Sequence, residues 1–143
     1  MTPRPVVSDW LVVSQERIDR FADATGDHQW LHVDPARAQR ESPYGATVAH
    51  GFLTLSLIST LLSSTSPFEG RMAVNYGLNR VRFIEPVIAG SRIRARFEPA
   101  AVEEEPDSQK VTWRVTVETD NRGPRPEARG LVCIAEWIVL YYS

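Results

Sequence analysis

The chain has 143 residues, 16 Lys plus Arg against 18 Asp plus Glu, three His, one Cys and a formal net charge of −2. That length fits one domain, residues 1–143, and buries roughly 68–70% of the surface of the unfolded chain, enough for one core without staples. The charge balance excludes a global field that would draw nucleic acid or coat an anionic membrane, and the lone Cys133 excludes an internal disulfide. Its apolar neighbours in "GLVCIAEW" mark Cys133 as a small buried hydrophobe and not a reactive thiol.

The first residues, "MTPRPVVSDW", hold no apolar run of signal-peptide length, and no later run reaches the ~18 residues of a membrane span. A cytoplasmic protein without membrane insertion is therefore expected. "WLVV", Trp10 to Val13, reads as a short strand. Ser14 follows as a helix N-cap with Glu16 in the first turn, Ile18, Phe21 and Ala22 keep helical spacing, and Gly26 supplies the stop. Asp27 thus comes just after a helix. From His28 to Ala46 the chain carries Pro35, Pro43 and Gly45 among charged residues, an irregular excursion in which Asp34-Pro35 starts one helical turn through "ARAQRE". Irregular segments of this length are functional or disordered, and the anchors Trp30 and Tyr44 favour order.

"HGFLTLSLISTLLSS" comes next. Phe52, Leu53, Leu55, Leu57, Ile58, Leu61 and Leu62 cover nearly every side of a helix, and a helix apolar all round is expected to be buried all round. Four period-two segments then follow: "MAVNYGLNRVRFI" with a bend at Gly77, "RIRARFE" with Ile93, Ala95 and Phe97 inward, "KVTWRVTVET" with Val111, Trp113, Val115 and Val117 inward, and "GLVCIAEWIVLYY". Pro86, Gly90, "EEEPDSQ" and "NRGPRPE" mark the turns. A strongly curved antiparallel sheet around one hydrophobic helix is the simplest packing of these pieces, an α+β architecture.

Two polar features bear on chemistry. On a helix, residues five apart sit about 140° round the axis, so Asp27 and His32 meet only if the chain folds back after Gly26. If it does, a carboxylate and an imidazole that titrates near neutrality reach one water or one substrate carbon. If it does not, Asp27 caps a loop and His32 is an ordinary half-buried imidazole. The second feature is His50-Gly51 at the start of the hydrophobic helix, where backbone N–H groups lack intrahelical partners and the dipole is positive. Gly51 either lets a carbonyl oxygen approach that N–H closely, as an enolate-like oxyanion would need, or merely permits a tight turn. His28 and His32, four apart, would bind a metal on a continuous helix, but Gly26 and Pro35 interrupt one and no HExxH pattern occurs, so no metal is expected.

"FADATGDHQWLHVDPARA" followed by "VAHGFLTLSLIS" and "NYGLNRVRFIEPVIAGSRIRARFE" resembles the MaoC-like dehydratase or (R)-specific enoyl-CoA hydratase family, in its NodN-like branch. The resemblance runs from about Val13 to the end. It implies the hot dog fold, a curved antiparallel sheet wrapped around a long central helix, and reversible addition of water across a trans-2-enoyl thioester. In that reading Asp27 and His32 are the catalytic pair, Gly51 donates the oxyanion-hole N–H, and Ser59, Gln29, Gly26 and His50 support them. An acyl-CoA is substrate, no cofactor is needed, and the chain is a homodimer. The family motif G-D-x-N-P-x-H appears here with Gln29-Trp30 in place of Asn-Pro.

A thioesterase on the same fold is the alternative activity. Such enzymes use a carboxylate on the central helix, and this helix carries none. A non-catalytic acyl-CoA-binding domain is the third reading, for which Arg71, Arg80, Arg82, Arg92 and Arg94 are candidate phosphate contacts.

Overall fold

The period-two segments of the second half become long antiparallel strands, and the segments before them become short strands and helices. The computed structural model describes residues 2–65 and 70–143. In chain order these form β1 (Val6–Val7), β2 (Leu11–Val12), α1 (Gln15–Thr25), α2 (Trp30–Val33), α3 (Pro35–Glu41), α4 (Gly51–Ser63), β3 (Met72–Phe83), β4 (Arg92–Glu104), β5 (Ser108–Thr119) and β6 (Leu131–Tyr142). One antiparallel sheet runs in the order β1-β4-β5-β6-β3, with β2 also paired to β4. With α4 against its inner face, this is the hot dog fold.

The alternation in the strands decides which face meets α4. Ile93, Ala95 and Phe97 of β4 and Val111, Trp113, Val115 and Val117 of β5 are buried, in one cluster with Leu53, Leu57, Ile58, Leu61 and Leu62 of α4. Their intervening residues carry the charge: Arg92 pairs with Asp120 at 2.7 Å, and Arg94 with Glu118. Ion pairs this exposed add little stability, so the inner face holds the fold. Gly77 falls at a register shift between β3 and β6, where a bend was expected. Cys133 is buried, and burial pushes its thiol pKa up to about 11, which leaves it an inert hydrophobe.

The structure differs from the sequence reading in four places. β1 was not anticipated: its two residues pair with Phe97 and Arg96, and two residues carry no readable period. β4 continues past Glu98 to Glu104 through an irregularity at Pro99/Ala101, because its outer half is exposed on both faces and lacks an apolar repeat. Within the excursion after His28, α3 begins at Asp34-Pro35 as expected, but α2 is a further turn of helix. Finally, α4 is not buried all round. Phe52 is 68% exposed and Ser56, Ser59, Thr60 and Ser63 are open, so one polar face of the helix looks out of the sheet.

Trp113 anchors the core: it is fully buried and its Nε1–H donates to the Tyr141 hydroxyl at 2.9 Å. Replacing Trp113 with Ala should cost about 3–5 kcal/mol, whereas Tyr141→Phe, which removes only the hydroxyl of that bond, should cost about 1–3 kcal/mol. Urea unfolding measures both. Equal losses would contradict a core held mainly by the packing of Trp113.

Candidate active site

α1 sets the position of Asp27 by ending where it does. Ser14 Oγ accepts from the Arg17 N–H at 3.1 Å to begin the helix, and Gly26, at φ 82°, ends it by donating its N–H to the Ala22 carbonyl at 2.8 Å. Only glycine adopts that left-handed conformation without strain. Asp27 then turns out of the helix, held locally by two 3.4 Å contacts: its N–H to Thr25 Oγ1, and the Gln29 N–H to its own Oδ1. Its side chain is exposed.

His32 sits in α2, one turn after that bend. Its N–H donates to the Gln29 carbonyl at 2.9 Å, and its ring Nδ1–H donates to the Val48 carbonyl at 2.7 Å. A carbonyl only accepts, so in the neutral ring the hydrogen is on Nδ1 and the lone pair on Nε2. The Val48 carbonyl is held by an extended segment in which Val48 N–H bonds Leu31 O, Ala49 N–H bonds Val87 O and Thr47 O accepts from Ala89 N–H. Gln15, at the start of α1, locks the same region: its Nε2 donates to the His32 carbonyl at 2.7 Å and its Oε1 accepts from Thr47 Oγ1. Sequence reasoning missed Gln15, since its partners lie 17 and 32 residues away.

The extended segment leads into α4 through His50, whose Nε2–H donates to the Asp27 carbonyl at 3.0 Å. The His32 and His50 rings stack, centroids 3.9 Å apart and planes at 25°. Chain folding thus joins Asp27, His32 and His50, with one ligand-type atom of each lying within 4.8 Å of the others. The same grouping has the residue types of a metal site, but rings so nearly parallel do not both aim their in-plane lone pairs at a point within the ~2.0–2.1 Å of a metal–nitrogen bond. His28 is not part of the cluster. It faces away, with Nε2 at 2.8 Å from Asp23 Oδ1.

Gly51 is the first residue of α4, so its N–H has no intrahelical acceptor. A Cβ there would lie 3.2 Å from the Phe83 ring, which packs across the start of the helix. Ser59, eight residues on, is about 12 Å further along the axis. The structure does not bring it to the Asp27–His32 pair. Its Oγ donates to the Ser56 carbonyl at 3.3 Å, and it lines two adjoining hollows of about 250 and 370 Å³ between α4 and β3, together with Asn75 and Trp137. A third hollow, about 230 Å³, lies at Gly51 beside Ala49, Thr54 and Phe83. Asp27 and His32 line none of the three. Gln29 precedes α2 and is exposed. Of the five arginines, Arg92 and Arg94 are in ion pairs and Arg71 donates to the Tyr141 and Tyr142 carbonyls, whereas Arg80 and Arg82 have no carboxylate partner among the described residues.

The fold agrees with what the chain is similar to. The model of the MaoC-like domain matches residues 2–121, and the chain belongs to that family. Nodulation protein N of Rhizobium leguminosarum bv. viciae is 49% identical over 136 residues, 93% of this chain and 81% of that protein. The 3-hydroxyacyl-thioester dehydratase Z of Mycobacterium tuberculosis is 46% identical over 138 residues, 95% of this chain and 87% of that protein. Among solved structures, the (R)-hydratase from A. caviae involved in PHA biosynthesis superposes with a TM-score of 0.72 at 26% identity, covering 95% of this chain and 92% of that one.

The hydrogen bond to Asp23 raises the pKa of His28 above the ordinary imidazole value. A group raised in the folded state favours folding at pH below its unfolded value, and that contribution is lost as pH rises through the folded one. Asp23→Asn should therefore lower the His28 titration midpoint seen by NMR. An unmoved midpoint would show that the pair does not form in solution.

Proposed function

We propose that the chain is a hydratase or dehydratase of acyl thioesters, adding water reversibly across a trans-2-enoyl-CoA to give the (R)-3-hydroxyacyl-CoA. The carrying observation is that His32, whose Nδ1 is taken by Val48, and the Asp27 carboxylate form one cluster with His50, the residue before Gly51, whose N–H starts α4. The relatives named above support the same class of chemistry.

The reaction follows from these groups. A water held by Asp27 and His32 attacks the β-carbon, and one member of the pair takes the water's proton as the C–O bond forms. The electron pair of the double bond moves onto the thioester as an enolate, whose oxygen accepts from the Gly51 N–H at the positive end of α4. The α-carbon then takes a proton from the pair on the same face, so the proton count is unchanged and water supplies both added groups. No cofactor is called for. Gly26 fixes the Asp27 turn, and the Gln29 N–H contacts the Asp27 carboxylate at 3.4 Å. We assign the acyl chain to the hollows beside α4.

A homodimer fits the same geometry. β3 is the last strand of the sheet, and its Met72, Val74, Tyr76, Leu78 and Phe83 are exposed next to Phe52. Pairing two such edges satisfies the open ladder, covers the apolar face and roofs the groove.

Asp27→Asn and His32→Gln should each lower hydration of crotonyl-CoA, followed by loss of the conjugated thioester absorbance, by about 10²–10⁴-fold. Undiminished turnover in both would overturn the assignment, and release of free CoA thiol would replace it with a thioesterase. The oxyanion role has its own test, because proline suits the first position of a helix while removing the N–H. Gly51→Pro should fall about 10²–10³-fold below Gly51→Ala, which meets Phe83 with a similar Cβ but keeps the donor. Equal rates in the two variants would remove Gly51 from the oxyanion hole.

A further inference from the structure

His50 precedes Gly51 in sequence, and its ring meets both the Asp27 turn and His32. Nε2–H donates to the Asp27 carbonyl at 3.0 Å. One face stacks on His32 at 3.9 Å, and Phe21 of α1 lies tilted against the ring at 4.8 Å. Its own carbonyl accepts from the Leu53 and Thr54 N–H groups at 3.1 and 3.2 Å, closing the first turn of α4. The residue is 3% exposed.

We infer that His50 is the positioning residue of this site, tying the Asp27 turn and the His32 ring to the N-terminus of α4. This inference rests on the hydration reading above. Asp27 follows a helix stop, and its other hydrogen bonds among the described residues are the two local ones at 3.4 Å, near the limit of such bonds. The bond from His50 spans 23 residues and joins the turn that carries the carboxylate to the segment that carries Gly51. Since a carbonyl only accepts, the hydrogen of His50 is on Nε2, and Nδ1 is left a buried lone pair without a partner. His50 is therefore spent on the Asp27 carbonyl and on stacking, while His32 keeps its basic nitrogen. An error of 1 Å in such a constellation costs on the order of 10²-fold in rate.

Two variants separate the two contacts. His50→Gln keeps an N–H donor where Nε2 was and loses the stack; His50→Phe keeps a ring against His32 and loses the donor. His50→Phe should lower kcat for crotonyl-CoA about 10²-fold with KM within about twofold, and His50→Gln should recover at least a tenth of the wild-type kcat. Wild-type kcat in His50→Phe, or a His50→Gln no better than His50→Phe, would overturn the inference. A readout independent of turnover is amide hydrogen exchange over residues 26–28, with the His32 ring shifts followed by NMR. Faster exchange in His50→Phe but not in His50→Gln supports the tie, and unchanged exchange in both overturns it. Thermal melting shows that each variant is folded. If Asp27→Asn and His32→Gln both retain full turnover, the assignment of the pair fails, and the exchange data still decide whether His50 holds the turn.

Discussion

The direction of the Val48 carbonyl governs the site. It accepts the Nδ1–H of a nearly buried imidazole, and two neighbouring backbone bonds, Val48 N–H to Leu31 O and Ala49 N–H to Val87 O, prevent it from turning away. A rotation would leave a buried N–H unpaired at about 1–3 kcal/mol and would release the choice of tautomer. With the carbonyl fixed, Nε2 of His32 is the basic atom, by the same logic through which a partner on one imidazole nitrogen prepares the other. The same extended segment delivers the chain into α4. One short stretch of backbone thus sets both the orientation of the His32 ring and the start of α4.

The rest of the fold divides between holding this arrangement and leaving it open. The inner sheet face and the apolar side of α4 form the core, and the ion pairs on the outer face add little to it. On the open side of α4, Ser56, Ser59 and Ser63 donate to the carbonyls of Phe52, Ser56 and Thr60, so their hydroxyls are satisfied within the helix. The helix can then face a groove without orphaned donors. β3 completes that groove, and none of its residues is buried in the described chain. Its Met72, Val74, Tyr76, Leu78 and Phe83 stay exposed, a row of apolar side chains of the kind that marks an interaction surface.

Much of this was legible in the sequence. Strands with a buried face announce themselves by period two, which is why Ile93, Phe97, Trp113 and Val117 were placed inward without a structure. Gly26 and Ser14 marked α1 because caps are local chemistry. What stayed hidden depends on distant partners. The stack of His50 on His32 joins residues 18 apart in sequence, and the Gln15 lock reaches across α1 and the following excursion. Composition misled for α4, since leucines at nearly every angle suggested burial on all sides. The distribution of Ser and Thr at positions 56, 59, 60 and 63 held the contrary signal, a polar stripe at helical spacing.

Gln29-Trp30, in place of the Asn-Pro of the family motif, now has a structural account. Gln29 adopts φ −57° and ψ 137°, the extended conformation a following proline would impose, and Trp30 occupies the first position of α2, where proline is favoured. The backbone has kept the shape that a proline would fix, and a four-residue helix cannot hold that shape alone. A tertiary contact supplies what the missing ring does not: the Arg37 guanidinium of α3 lies 4.4 Å over the Trp30 ring, and α3 is itself capped by Asp34 Oδ1 accepting from the Arg37 N–H at 3.1 Å. Rigidity has moved from a covalent ring to a cation–π contact between neighbouring helices. The His32 ring is oriented by a different contact, its Nδ1–H to the Val48 carbonyl. The substitution therefore leaves the Val48 bond that orients the His32 ring in place.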